Sequence, residues 1–383
     1  MPGAVAPGVN GKLAWTDGKQ RTLGISGRPG AAVPVPEAEA QIMGWKDLFK
    51  SKAEKAKPDP RLRWFGKLPT YADYYSSATD EDWAVDFNDW ILKGCELFFD
   101  RQGTGKQDRR VPSSVCILRL PTFPMTILAS VQDYGGDMRG RPFPHIFYVG
   151  VPTVSWPGPT SAGVLPAMRV LRDLLVLRDE VDHFFNAPGR FEARFGGREV
   201  DLSGLDADVS DDSWLPAAQK LPLPQWFESA KGGLKTDDMA KWCETMLAWG
   251  DNIATLEADE FGPTFRFPLV TGIPSEVQVA GWLRWLESRM NLKERYLSLL
   301  MSADPAGSTG HLSVVARELV GEDFLLLTPK AGSLSYVDDA SALGGAPTTE
   351  SEQTDAEPES PAPADSVQTP ATWAEFVEVT PGA

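Results

Sequence analysis

The densest grouping of reactive side chains is "DYGGDMRGRPFP", residues 133–144. It places Asp133, Asp137, Arg139 and Arg141 on one glycine-rich stretch. Two carboxylates on one loop could share acid and base work in a hydrolysis. The same residues can also clasp one another, since carboxylate and guanidinium pair through charge-assisted hydrogen bonds and glycines permit tight turns. A structural clasp or partner contact is the expectation, and a hydrolase using Asp133 or Asp137 is the alternative.

The other chemical candidates are thinner. "GTGK" (103–106) lacks the GxxxxGK[ST] pattern of a phosphate loop, because Gln107 follows the lysine. His145, His183 and His311 are scattered, with no HExxH spacing and no GxSxG elbow nearby. Cys95, Cys116 and Cys243 lie far apart in apolar surroundings and form no CxxC pair, so buried free thiols are expected. No cofactor, metal or catalytic residue is assigned from these patterns.

A second dense stretch is "RWFGKLPTYADYY", residues 63–75. Gly66 allows a turn, and Pro69 biases Leu68 away from helix. Asp73 is suited to cap a helix or grip a backbone amide. Trp64, Phe65, Tyr71, Tyr74 and Tyr75 supply more ring area than one turn needs, which suits an aromatic edge packed inward or a patch facing a partner.

These segments need a scaffold. The chain has 383 residues, 42% apolar and 10% aromatic, enough for one large core or two ordinary ones. Trp83, Phe87, Trp90, Ile91 and Phe98 repeat at helical spacing through 80–99. Strands are expected at 114–120, 125–131 and 145–151, the first two paired antiparallel across "PTFP". Further expectations are a helix over 160–186, a hairpin around Gly196-Gly197, an irregular stretch over 203–235 and helices at 236–250 and 275–290. Strands are expected at 264–270, 296–302, 311–317 and 323–329. This order predicts an α+β, three-layer-like fold with helices on a largely antiparallel or mixed sheet.

The ends differ from this core. Residues 1–42 are rich in Gly, Ala, Pro and Val, and are expected to be disordered, with Met43 a possible natural start. Residues 43–60 hold a short basic amphipathic helix candidate and linker: Trp45, Leu48 and Phe49 share a face among five lysines. Docking on the protein's own domain or a partner is expected of 43–57; a peripheral membrane adaptor is the alternative. The globular domain is expected over 61–330, and a disordered acidic Pro/Ser/Thr tail over 331–383.

The formal net charge is −16, and ten acids but no Lys or Arg follow Lys330. Such a balance argues against nucleic-acid binding, which rests on neutralising phosphates. No apolar run approaches bilayer length and no leader pattern is present, so a cytoplasmic location is expected.

Several stretches resemble the type VI secretion-associated TagF (ImpM) family. "WFGKLPTYADYY" is similar to its "FGKLPxxGDF" opening, matching Phe65, Gly66, Lys67, Leu68, Pro69 and Asp73, with Ala72 at the glycine position and Tyr74 at the phenylalanine. "FNDWIL", with Trp90, is similar to its "WDxWL" helix. "DMRGRPFP" is similar to its "S-x-D-x-GR-x-FP" loop, matching Asp137, Gly140, Arg141, Phe143 and Pro144. "TGIPSEVQVAGWLRWL" and "YLSLLMSA" look like its C-terminal part, so the resemblance spans roughly residues 61–305.

The resemblance implies a non-enzymatic cytoplasmic accessory protein, a post-translational repressor of type VI secretion that engages the machine's forkhead-associated (FHA) scaffold protein. It brings no cofactor and no catalytic residue. Two expectations follow. Asp137 and Arg141 should pair near the "GKLP" turn. The tail is expected to serve solubility; the alternative is that its threonines, Thr348, Thr349, Thr354, Thr369, Thr372 and Thr380, present phosphate to the scaffold, with Trp373 and Phe376 as apolar anchors.

Overall fold

The computed structural model describes residues 59–77, 81–102, 111–120, 122–153, 155–156, 158–184, 188–205, 214–254, 263–290, 292, 297–302, 309–328, 331–332, 334–343 and 369–378. The strands are β1 (Arg63–Gly66), β2 (Tyr75–Ser76), β3 (Ser114–Arg119), β4 (Met125–Gln132), β5 (His145–Pro152), β6 (Thr264–Val270), β7 (Ser298–Ser302), β8 (Thr309–Val315) and β9 (Val337–Asp339). They form one sheet in the order β2-β1-β5-β4-β3-β7-β8-β6-β9. Neighbours run antiparallel except β6 and β9, which are parallel.

The helices are α1 (Asp82–Gln102), α2 (Val164–Glu180), α3 (Pro188–Phe195), α4 (Leu215–Gln219), α5 (Leu223–Ala230), α6 (Met239–Ala254), α7 (Ser275–Glu287) and α8 (Trp373–Glu378). Side chains alternate across the sheet, and both faces are covered. Phe147, Val149 and Val151 of β5 join a core with α2 to α8, while Ile146 and Tyr148 face a second core under α1. The fold is therefore α+β, helices on both faces of a mixed sheet. Burial on both faces explains why β3, β4 and β5 read as nearly continuous apolar runs.

The strands expected at 114–120, 125–131 and 145–151 appear as β3, β4 and β5, and the expected antiparallel pairing of the first two is present, with Leu118 opposite Ile127 across "PTFP"; β1 and β2 were not expected. Four expectations are corrected. The segment before Gly196-Gly197 is α3 rather than half of a hairpin: Phe191 and Phe195, one helical turn apart, are both buried with centroids 4.7 Å apart. Within 203–235, α4 and α5 form, each with proline in its first turn. Residues 321–327 are a 3₁₀ helix, not a strand. Asp323 drives that turn, accepting from the Val320 amide at 2.8 Å and pairing with Arg317 at 2.7 Å.

The fourth correction concerns the tail. Residues 334–343 are ordered and contain β9, and 369–378 fold back as α8. Trp373 and Phe376 are wholly buried in the protein's own core, so they are not free anchors for a partner. The expectations for 1–42, for the 43–57 helix and for "GTGK" lie outside the described residues, as do Thr348, Thr349, Thr354 and Thr380. Cys95, Cys116 and Cys243 are buried free thiols. Among the described residues no helix is long and apolar enough to cross a membrane.

Candidate functional site

The two stretches singled out by their chemistry meet at one end of the β1–β5 pair. β1 runs beside β5 with Gly66 opposite His145. This brings the "GKLP" turn against Phe143 and Pro144, which lead into β5. Gly66 sits at φ +140°, and a Cβ there would lie 2.1 Å from the Pro144 carbonyl oxygen. Only glycine permits that approach. The Lys67 amide then donates to the same carbonyl at 3.3 Å.

At the centre lies Asp137, whose side chain has no exposed surface. Its Oδ1 accepts from the amides of Arg139 at 2.9 Å and Arg141 at 3.0 Å. Its Oδ2 takes the Arg141 guanidinium at 2.6 Å, and the buried Lys67 Nζ stands 3.7 Å away. Arg141 also donates to the Ala72 carbonyl at 2.6 Å, which ties the loop to the aromatic stretch. Burial alone would raise the Asp137 pKa. The amide and guanidinium of Arg141, the Arg139 amide and Lys67 outweigh it, and the carboxyl titrates below its ordinary value. Lys67 is shifted down, first by burial and then by the charge of Arg141.

Aromatic rings enclose the lysine. Its Nζ lies 4.7 Å from the Tyr74 ring centre and 5.9 Å from that of Phe143. Tyr74 stacks on Phe65 at 5.6 Å and meets Phe143 edge-on at 4.8 Å. On the sheet's other face, Tyr71 stacks on Tyr75 at 4.3 Å, and Trp64 packs with Tyr75 and Phe191. Leu68 is buried there as well, while Pro69 is half-buried in the turn. Most of the aromatic excess thus packs inward. Tyr74 keeps 44% of its surface exposed.

Asp73 caps no helix. It accepts from the Tyr74 amide at 2.9 Å and stands 3.7 Å from Arg141, its side chain 75% exposed. Gly140 lies on the exposed tip of the loop at φ +69°. Trp90 is not part of this cluster. Its indole donates to the Val320 carbonyl at 2.9 Å and packs on Phe324.

Asp133 is buried and serves the backbone, accepting from Gly135 at 2.7 Å and Val111 at 3.2 Å. Both acids of the loop are therefore held by donors, and the buried Asp137 offers no surface to a substrate in this conformation. His145 is buried among Tyr134, Phe147 and Phe191, and burial lowers its pKa to about 3. His183 is exposed on a 3₁₀ turn. Among the described residues no group of three or more His, Cys, Asp or Glu side chains is placed to hold a metal ion.

Two features have no counterpart in the sequence reading. Met138, at the loop tip, is 62% exposed and donates its amide to the Tyr71 carbonyl at 3.0 Å. A separate cleft of about 520 Å³ lies between α2 and the loop before α7, walled by Met168, Leu171, Leu175, Ile273 and Met301. An Arg172–Glu276 pair at 2.7 Å stands on its rim.

Protein-family models and curated proteins give no match to the chain. Among solved structures it is similar to PA0076 from Pseudomonas aeruginosa PAO1, at 16% identity and a TM-score of 0.25. That likeness covers 36% of this chain and 64% of PA0076, and is too partial to transfer fold or function.

Proposed function

We propose that this chain is a non-enzymatic, cytoplasmic accessory protein of a type VI secretion machine, and that it represses the machine after translation by contact with its FHA scaffold protein. The observation that carries this reading is the convergence of the two most specific family-like stretches. "FGKLP" and "DMRGRPFP" lie about seventy residues apart in sequence, yet Lys67, Asp137 and Arg141 join them in one cluster whose lysine and acid are buried. The cluster's geometry is that of a brace. Its acid is filled by donors, which suits positioning a surface better than attacking a substrate.

The test uses the full chain and the purified FHA scaffold protein of the host's secretion machine, with binding measured by calorimetry. Saturable binding is expected. In the host, deleting the gene should raise secretion of a type VI effector without changing the level of the scaffold. Absence of binding together with unchanged secretion would overturn the proposal.

A further inference from the structure

The loop from 133 to 144 is longer than its connection requires. β4 and β5 pair antiparallel up to Gln132 and His145, a junction that about two to five residues can close. The surplus is ordered rather than slack. Asp137 accepts two amides of its own loop, its amide donates to the Arg141 carbonyl at 3.1 Å, and the Gly140 amide donates to the Asp137 carbonyl at 2.8 Å. Gly136 stands at φ +90°, where a Cβ would lie 2.2 Å from the Arg141 carbonyl oxygen. A buried acid, a buried lysine and a guanidinium are committed to holding this shape, at a desolvation cost.

What the brace presents is Met138, the most exposed large apolar side chain among the described residues. Beside it stands Arg139, exposed and without an acidic partner among the described residues, although the chain carries sixteen more negative than positive charges. Tyr74 lies on the adjoining segment, its ring fixed by Phe65 and Phe143. Rigid tyrosine, methionine and arginine are the side chains enriched in the centres of protein interfaces.

We propose that Met138, Arg139 and Tyr74 form the contact surface for a protein partner whose own face is an apolar pocket edged by carboxylates. Met138 fills the pocket, Arg139 meets the acids and Tyr74 packs against the rim. The charge favours a protein over a lipid surface. Among the described residues of this loop Arg139 is the guanidinium without an acidic partner; it supplies only about 1 kcal/mol of attraction to anionic lipid, and such binding takes a polybasic cluster. This inference rests on the proposed function and names the surface through which it acts.

The experiment measures binding of the purified FHA scaffold protein to the full chain, to Met138→Asp, to Arg139→Glu and to Val176→Asp. Val176 is 56% exposed on α2 and serves as the control. Both loop variants should bind at least tenfold more weakly, with unfolding midpoints unchanged, and the control should bind like the wild type. Raising the salt should weaken the wild type and have less effect on Arg139→Glu. Equal binding by all four proteins would overturn the surface and leave the proposed function standing. Failure of the wild type to bind would overturn this surface, and together with unchanged secretion on deleting the gene it would overturn the proposed function as well. Co-sedimentation with phosphatidylserine vesicles that depends on Met138 and Arg139 would overturn the choice of a protein partner.

Discussion

Two clusters each fix a segment that comes from a distant part of the chain, and they use opposite physics. At the end of β1, Lys67, Asp137 and Arg141 hold the 133–144 loop through charge and hydrogen bonds, with exposed residues directly above them. On the α2–α8 face of the sheet, Trp226, Trp242 and Trp282 receive Trp373 and Phe376 of α8. Trp373 stands 4.6 Å from Trp226 and 4.8 Å from Trp282, and Phe376 stacks on Trp242 at 5.2 Å. Gly281 of α7 makes room: a Cβ there would lie 2.3 Å from the Trp373 indole nitrogen. The apolar cluster gains from area removed from water, a large and undirected term. The ionic cluster gains little net stability because desolvation offsets attraction, but it fixes direction. One stabilises a terminus, and the other aims a surface.

If that contrast is right, the largest single loss comes from α8. Trp373→Ala removes a wholly buried indole and should destabilise the protein by about 3–5 kcal/mol in a denaturant titration. The loop surface should still bind its partner below the unfolding midpoint. A loss under about 1 kcal/mol would mean that the tail helix is docked only loosely.

Asp137→Asn should cost somewhat less, about 2–3 kcal/mol, because it leaves Lys67 buried without its counter-charge and weakens the grip on two amides. The diagnostic is the pairing of that loss with weaker partner binding, which Trp373→Ala should not show. Equal binding by Asp137→Asn and wild type would separate the brace from the surface it is argued to aim.

How legible the two clusters were differs for the same physical reason. The ionic one was visible in part because its residue types are costly to bury: an Asp and an Arg beside paired glycines demand partners, while the place of that pair near "GKLP" was implied only by the family resemblance of the two stretches. Met138 was not visible, because nothing in a sequence says which apolar residue a loop leaves outside. The tryptophan cluster was hidden by composition. The acids and prolines after Lys330 dominate the segment, and Thr372 with Glu375 was the available signal. They form a reciprocal cap, Thr372 Oγ1 accepting the Glu375 amide at 3.2 Å and Glu375 accepting the Thr372 amide at 3.3 Å. Likewise "RFEARF" reads as alternation until Phe191 and Phe195 are seen as a helical pair. The run "FLLL" after Asp323 has no periodicity to separate strand from helix.

Acid should erode the structure in two steps. His145 is buried, and its folded pKa of about 3 lies below the ordinary value of 6.5. The unfolded chain therefore binds the proton first, and stability present above pH 6.5 is lost as the pH falls toward 3, about 2 kcal/mol of it by pH 5. Asp137 is also depressed, so its contribution is intact above the usual carboxylate range and is lost only as the pH falls through its lower folded value. Asp59, depressed chiefly by its hydrogen bond with Arg61, adds to that second step. Unfolding free energies from pH 8 to pH 3 should show the first step vanish in His145→Phe and the second shrink in Asp137→Asn. A profile flat from pH 7 to pH 5 in the wild type would contradict the burial of His145.

The smallest effect is expected at Lys67, where the two kinds of cluster meet in one side chain. Its ammonium lies 4.7 Å from the Tyr74 ring centre, 5.9 Å from that of Phe143 and 3.7 Å from Asp137, the last beyond direct hydrogen-bond length. Burial and the charge of Arg141 disfavour the protonated form, and Asp137 and Asp73 favour it. The balance falls against the charged form, whose pKa lies below the ordinary lysine value, so the ammonium adds little net stability. Asp137 also has a shorter pair with Arg141, at 2.6 Å, in which the lysine takes no part. Methionine matches the length of the stem and suits an aromatic cage. Lys67→Met should therefore change stability by about 1 kcal/mol or less in either direction, and partner binding by less than about threefold. Should it cost as much as Asp137→Asn, the lysine is a full member of the ion cluster, and the brace depends on three charges rather than two.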